Sequence, residues 1–182
     1  MIINLRGTHG SGKSTIVRKV MEKGEFQPHF VEGRKRPLAY YDHLKTLFIP
    51  GHYEKDCGGC DTILEVEHVF DIVKNAAGQG WSVLFEGILA QHSAPRLIEV
   101  AKLFPPVIVI ILTTPLEACV KSVLERRAAS GNDKPLNQDN IRREFRSVES
   151  AARRLRGEGL DVRSLSRNEA FDLCLKELYG PA

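Results

Sequence analysis

Continuous apolar runs alternate along the chain with stretches of helical spacing. Ile2–Leu5 is an unbroken apolar run that leads at once into a glycine-rich loop and a helix predicted from about Lys13 to Glu22. Ser82–Phe85 and Val107–Leu112 are of the same kind, as expected of strands inside a parallel sheet covered on both faces. Pro28–Val31 gives a weaker strand, and Leu160–Leu165 the last one. Leu38–Tyr41 and Leu47–Ile49, separated by Asp42-His43-Leu44-Lys45, predict a β-hairpin. Between the strands, Ile63, Val66, Val69, Phe70 and Val73 repeat at helical intervals, with Asp61 or Thr62 as the N-cap and an end near Gly78-Gln79-Gly80. Leu116, Val120, Val123 and Leu124 mark a second helix after Thr113-Thr114-Pro115. Ile141, Phe145, Val148, Ala152 and Leu155 line one face of a long third. Residues 168–178 close the chain as a helix. Strands alternating with helices predict a three-layer α/β/α fold with a five-stranded, mainly parallel sheet.

Composition narrows this little. A chain of 182 residues fits one domain, here 1–182, with a hairpin and glycine-rich insertion at 37–62 and a lid region at 126–146. Apolar residues make up 42% and charged residues 27%, mixed in sign, which is globular and not disordered. A net charge of +3 suits an anionic ligand without requiring nucleic acid. No basic, signal-type segment precedes Ile2, and no window approaches the roughly 20 apolar residues of a membrane span. Cys57, Cys60, Cys119 and Cys174 are too few for a disulfide scaffold, so a cytoplasmic protein with reduced thiols is expected.

The strongest chemical signal is Gly7-Thr8-His9-Gly10-Ser11-Gly12-Lys13-Ser14, the pattern G-x-x-x-x-G-K-[ST] placed directly after a strand and before a helix. Its glycines permit backbone paths that turn successive amides inward, and the helix start adds free N–H donors and a positive dipole end. Lys13 is suited to the β- and γ-phosphates of ATP, and the Ser14 hydroxyl to Mg²⁺. Thr15 follows in the first turn, while His9 occupies an unconstrained position and shapes the loop. Gly7 to Thr15 is therefore the expected nucleotide cradle.

Glu86, in Phe85-Glu86-Gly87, ends an apolar strand at the crevice where such sheets bind ligands. An acid there either holds the magnesium hydration shell, together with Ser14, or orients the attacking group. Farther along, Arg126-Arg127 precede Ala128–Leu136, which contains the Gly131-Asn132-Asp133 turn, and the long helix bears Arg142, Arg143, Arg146, Arg153, Arg154 and Arg156. At about 100° per residue, Arg142, Arg146, Arg153 and Arg156 fall on one stripe. Residues 121–167 hold twelve basic and seven acidic side chains, a larger excess than that of the whole chain. This resembles the lid of nucleoside and nucleotide monophosphate kinases, in which arginines close over ATP; Arg126 is the first candidate, with Arg127 and Arg142 next.

The insertion contains Gly51-His52-Tyr53 and Cys57-Gly58-Gly59-Cys60-Asp61-Thr62. Cys57 and Cys60 have zinc-type spacing, but no second pair completes four ligands even if His52 joins them. Asp61 either caps the following helix or accepts the proton of an attacking hydroxyl. Tyr40, Tyr41, Tyr53 and His52 either form an aromatic wall for a base or pack in the core. Glu32 and Asp42 are lesser candidates for the base. Arg34, Lys35 and Arg36 either guide an acidic acceptor or form an exposed basic turn.

On these residues the chain resembles the P-loop kinase superfamily of nucleoside, nucleotide and polynucleotide kinases over nearly its whole length, through Gly7–Ser14, Glu86-Gly87 and Arg126-Arg127. Within it, Gly51-His52-Tyr53 and Cys57–Thr62 are similar to a bacteriophage group that phosphorylates 5-hydroxymethyldeoxyuridine within DNA. The resemblance implies ATP- and Mg²⁺-dependent transfer to a base hydroxymethyl, in the host cytoplasm if phage-encoded. The catalytic set would be Lys13, Asp61, Glu86, Arg126 and Arg127. The Asp-x-x-x-Arg acceptor pattern of 5′-end polynucleotide kinases is missing from the helix after the second strand. A kinase of free nucleosides, nucleotides or another small metabolite is the alternative, and a nucleotide-binding switch without transfer a more distant one.

Overall fold

The structure is a computed structural model that describes residues 1–54, 58–87, 93–132 and 135–180. Seven strands form one sheet: β1 (Ile2–Arg6), β2 (Gln27–His29), β3 (Ala39–Asp42), β4 (Leu47–Pro50), β5 (Ser82–Glu86), β6 (Val107–Leu112) and β7 (Asp161–Leu165), in the order β2-β3-β4-β5-β1-β6-β7. The five strands β4-β5-β1-β6-β7 run parallel, and β3 and β2 extend the edge antiparallel. The predicted hairpin is real, with Asp42 opposite Leu47, but its second strand also pairs with β5 and so belongs to the parallel core.

Side-chain alternation along the strands divides the core in two. Ile3 and Leu5 of β1 with Ile108 and Ile110 of β6 meet α1 (Lys13–Met21) and the C-terminal helix Arg167–Tyr179 through Val17, Val20, Ala170 and Cys174. Ile2, Val107, Val109 and Ile111 face the other way. There they pack on α2 (Val66–Gly78), α3 (Ala94–Leu103) and the long helix Gln138–Gly157. The helix Leu116–Ala129 buries only Cys119 and Val123, so it is held mainly at one end. In chain order these last three helices are α4 (Leu116–Ala129), α5 (Gln138–Gly157) and α6 (Arg167–Tyr179).

Two local expectations change. The helix expected to start at Asp61 or Thr62 begins at Val66 instead, after a separate 3₁₀ turn at Cys60–Thr62. Thr62 donates from both its amide and its hydroxyl to the Gly59 carbonyl, at 3.2 and 2.8 Å, and the Ile63 amide donates to Cys60 at 2.9 Å. The turn thus closes on itself, Ile63 returns to extended backbone, and Asp61 does not cap α2. In addition, α3 follows β5 in a stretch for which the sequence pattern gave no element; Pro95 stands in its first turn.

Candidate active site

The loop between β1 and α1 is braced from two sides. The Thr114 hydroxyl donates to the Ser11 carbonyl at 2.8 Å. Arg167, at the start of α6, donates to the carbonyls of Ser11 at 2.8 Å and Gly10 at 2.9 Å. Gly12 has φ 101°, and a Cβ there would lie 2.8 Å from the Arg167 guanidinium, so both its conformation and its clearance require glycine. The Lys13 ammonium lies on the Gly7 carbonyl at 2.5 Å and the Thr8 carbonyl at 3.3 Å. A cleft of about 620 Å³ opens beside it, lined on the loop side by His9 through Thr15 and by Arg18 one helical turn on. Gly7 and Thr8 border a second cavity of about 320 Å³, behind the loop against α5.

The opposite wall is acidic. Glu86 ends β5 only 1% exposed, and its Oε1 accepts a 2.8 Å hydrogen bond from the Ser14 hydroxyl. Burial pushes its carboxyl above the ordinary carboxylate value, against the pull of Lys13 and of the Ser14 hydrogen bond. Gly59, at φ 70°, passes so close that a Cβ would collide with the Glu86 carboxylate. That close pass brings Gly58, Asp61 and Thr62 to the cleft, with Asp61 exposed there. An isolated bridge between His52 and Gly59 fixes the base of this segment.

The aromatic residues of the insertion lie elsewhere. Tyr40, His52 and Tyr53 are buried, with the Tyr40 and Tyr53 rings 6.3 Å apart edge to face, and Tyr41 packs with His43 and Trp81. None of them lines the cleft. Tyr53 sits close enough to Glu86 and Asp61 for their charge to add to burial in raising its phenol well above the usual range. The Asp42 carboxylate accepts from the amides of Leu44, Lys45 and Glu25, which accounts for it structurally, and Glu32 is exposed on the β2–β3 connection. The Cys60 thiol is buried against the Pro50 carbonyl at 3.5 Å, and burial pushes it well up; Cys57 lies outside the described residues.

On α4, Ser122, Glu125, Arg126 and Ala129 share the face that lines the cleft, and Arg127 is not on it. Arg142 pairs with Asp139, Arg143 bonds Asn140, and Arg153 and Arg156 border the second cavity. Asp133 of the predicted lid turn lies outside the described residues.

Besides Ser122 and Glu125, three charged residues of the site escaped the sequence reading. Arg18 is four positions after Ser14, one turn along the same helix face. Arg167 opens a helix whose start is marked by the Ser166–Glu169 capping box. Glu144 falls among Ile141, Val148, Ala152 and Leu155 on the apolar stripe of α5, and a lone acid on such a stripe is itself a signal. Its carboxylate meets His9 Nδ1 at 2.5 Å and the His9 amide at 3.3 Å, joining α5 to the loop. Burial opposes its ionisation, but the bonds and charge of His9 outweigh that and hold the carboxyl below its ordinary value.

No protein-family model matches the chain. It is 39% identical over 175 residues to the 5-hmdU DNA kinase of Pseudomonas phage PaMx11, covering 93% of each chain. It is 34% identical over 167 residues to the 5-hmdU DNA kinase of Delftia phage PhiW-14, covering 81% of this chain and 60% of that one. Among solved structures, the deoxyadenosine kinase of M. mycoides, with dCMP and dCDP or with dCTP bound, superposes at TM-score 0.51 over the full length of both chains. At 13% and 10% identity, that likeness establishes the P-loop kinase fold alone. The level and extent of identity to the first relative establish more: the chain belongs to the family of 5-hmdU DNA kinases.

Proposed function

We propose that this phosphotransferase moves the γ-phosphoryl group of ATP to the hydroxymethyl oxygen of 5-hydroxymethyldeoxyuridine in DNA. Kinship with enzymes named for that reaction supports the acceptor. The observation that carries the chemistry is the pairing of the Ser14 hydroxyl with the Glu86 carboxylate beside the phosphate loop, in one cleft with Asp61.

Ser14 and Glu86 offer hard oxygen donors 2.8 Å apart. That set fits Mg²⁺, which keeps most of its waters and takes one or two protein ligands beside substrate phosphates. The ion, when bound, supplies neutralisation of the β- and γ-phosphate charge. Lys13 releases the Gly7 and Thr8 carbonyls for those phosphates. Asp61, at the exposed end of the acidic wall, takes the hydroxyl proton as the hydroxymethyl oxygen bonds to the γ-phosphorus. The bond from that phosphorus to the β-bridging oxygen breaks, and ADP departs with its electron pair. Arg126 stabilises the charge on the transferring group from α4, with Arg127 behind it on the same helix.

Incubation with γ-labelled ATP tests this against three acceptors: hydroxymethyluracil-containing DNA, the same DNA with thymine, and free 5-hydroxymethyldeoxyuridine. Label is expected only in the first. Label confined to the free nucleoside makes the enzyme a small-molecule kinase.

A further inference from the structure

Leu64 is 90% exposed, more than any other large apolar side chain among the described residues. It follows Asp61 and Thr62 of the cleft wall by three and two positions, between Ile63 and Glu65, both extended. Ile63 is 1% exposed, so the alternation of extended backbone turns Leu64 outward. A lone exposed leucine is ordinary on a protein surface. This one comes two residues after Thr62, which lines the cleft and whose carbonyl accepts from a cationic turn, and packing does not account for its exposure.

The turn is Arg34-Lys35-Arg36, with Glu32 as its one acidic neighbour in the β2–β3 connection. The Arg34 amide donates to Val31 at 3.1 Å, and its guanidinium reaches across to the Thr62 carbonyl at 3.2 Å. This second bond pins the turn to the wall that carries Asp61. Lys35 and Arg36 are exposed and make no ion pair with a described residue. The arginines of α5 stand on the other side of the site, on the helix whose Glu144 meets His9.

A 5-substituent of a paired pyrimidine projects into the major groove. The γ-phosphoryl group would sit inside the cleft between the buried Lys13 and Glu86, where a base held in the stack cannot bring its hydroxymethyl oxygen, so the target nucleotide must rotate out of it. Extrusion leaves a gap that apolar side chains such as leucine fill in proteins that open base steps. We propose that Arg34, Lys35, Arg36 and Leu64 form the DNA-docking rim: Lys35 and Arg36 hold phosphates flanking the target nucleotide, Arg34 anchors the turn to the cleft wall, and Leu64 occupies the vacated stack. The proposal rests on the DNA-acceptor reading.

Wild type, Leu64→Ala and the double variant Lys35→Ala/Arg36→Ala are compared on one hydroxymethyluracil strand, unpaired or in a full duplex. Because only the paired strand has to be unstacked, the paired-to-unpaired ratio of kcat/KM should fall about ten-fold or more in Leu64→Ala. A 2-aminopurine beside the target should brighten less on binding Leu64→Ala than wild type. The double variant should raise KM for both DNA forms and flatten the slope of log affinity against log salt by about two, roughly one per lost phosphate contact. All three substituted side chains are exposed, so thermal midpoints should stay near wild type. A wild-type ratio and brightening in Leu64→Ala overturns the wedge, and an unaltered salt slope overturns the phosphate contacts. A wild-type enzyme that labels free nucleoside and neither DNA removes the acceptor reading, and the rim with it.

Discussion

Glu86 and Glu144 flank the same loop, yet their surroundings displace their proton affinities in opposite directions, and that difference is measurable in stability. Burial raises the folded-state pKa of Glu86, so the native state binds its proton more tightly than the unfolded chain does. Stability is then lost as pH rises from the unfolded value, about 4.3, through the raised one. Glu86→Gln removes the buried charge, and its thermal midpoint at pH 7.5 should exceed that of wild type, the gap closing as pH falls toward 4. Activity should fall at least about 100-fold, because the amide cannot replace a carboxylate in the magnesium site proposed for Glu86 and Ser14. Glu144 behaves oppositely. Its depressed pKa contributes stability above the unfolded value that is lost as pH falls through the folded one. Glu144→Gln should therefore lower the midpoint at pH 7.5, by the equivalent of about 1–3 kcal/mol for a charge-assisted bond, and approach wild type in acid. Melting curves of both variants from pH 4 to 8 check the pair of signs; shifts of the same sign at pH 7.5 would remove the account given for one of them.

Among the elements, α4 carries the arginine question. Ser122, Glu125, Arg126 and Ala129 recur at helical spacing, so one face meets the cleft and Arg127 falls off it. Arg126→Ala should cost on the order of 10³-fold in kcat, and Arg127→Ala far less, with KM for ATP moving little in either. Equal losses in single-turnover assays would show that the helix rotates to bring both arginines in. This ambiguity marks where sequence stops being informative, since two adjacent arginines differ only in which face the packing of Cys119 and Val123 turns inward. Strands β1, β5 and β6 were legible to within a residue because unbroken apolar runs have few other uses in a parallel sheet. The sharp turn from β1 into α1 was legible because the glycines at 10 and 12 stand where the backbone takes positive φ. The 3₁₀ turn at Cys60–Thr62 was not: Asp61 followed by helical spacing resembles a cap, and only the self-closing bonds to Gly59 separate the turn from α2. Helix α3 went unread although Pro95, Leu97, Ile98 and Ala101 carry the marks of one. Contacts between distant segments, such as Glu144 with His9 and Arg167 with Ser11, leave almost no local trace, because tertiary packing alone selects them.

Across the whole molecule, those distant contacts tie nucleotide binding to the stability of the fold. The loop that would grip the phosphates is bonded to the β6–α4 connection through Thr114, to α5 through Glu144 and to α6 through Arg167. A ligand held there stabilises the native state against unfolding as a unit. At 100 times its Kd, such a ligand adds about 2.7 kcal/mol. For a chain of this size each kcal/mol raises the midpoint by about 2–4 °C, so saturating ATP with Mg²⁺ should raise Tm by roughly 5–10 °C. Lys13→Ala should lose most of that increment if its ammonium, which lies on the Gly7 and Thr8 carbonyls, is the cation that meets the phosphates. Asp61→Asn should keep it while losing transfer, since the role proposed for its carboxylate is toward the acceptor hydroxyl and it lies on the wall opposite the loop. Differential scanning fluorimetry with and without nucleotide, beside the labelled-ATP assay, separates the two roles. A full nucleotide-induced rise in Lys13→Ala would mean that the loop does not hold the triphosphate. A lost rise in Asp61→Asn would place that carboxylate in nucleotide binding, and leave Glu86 as the acid on that wall, among the described residues, for the acceptor proton.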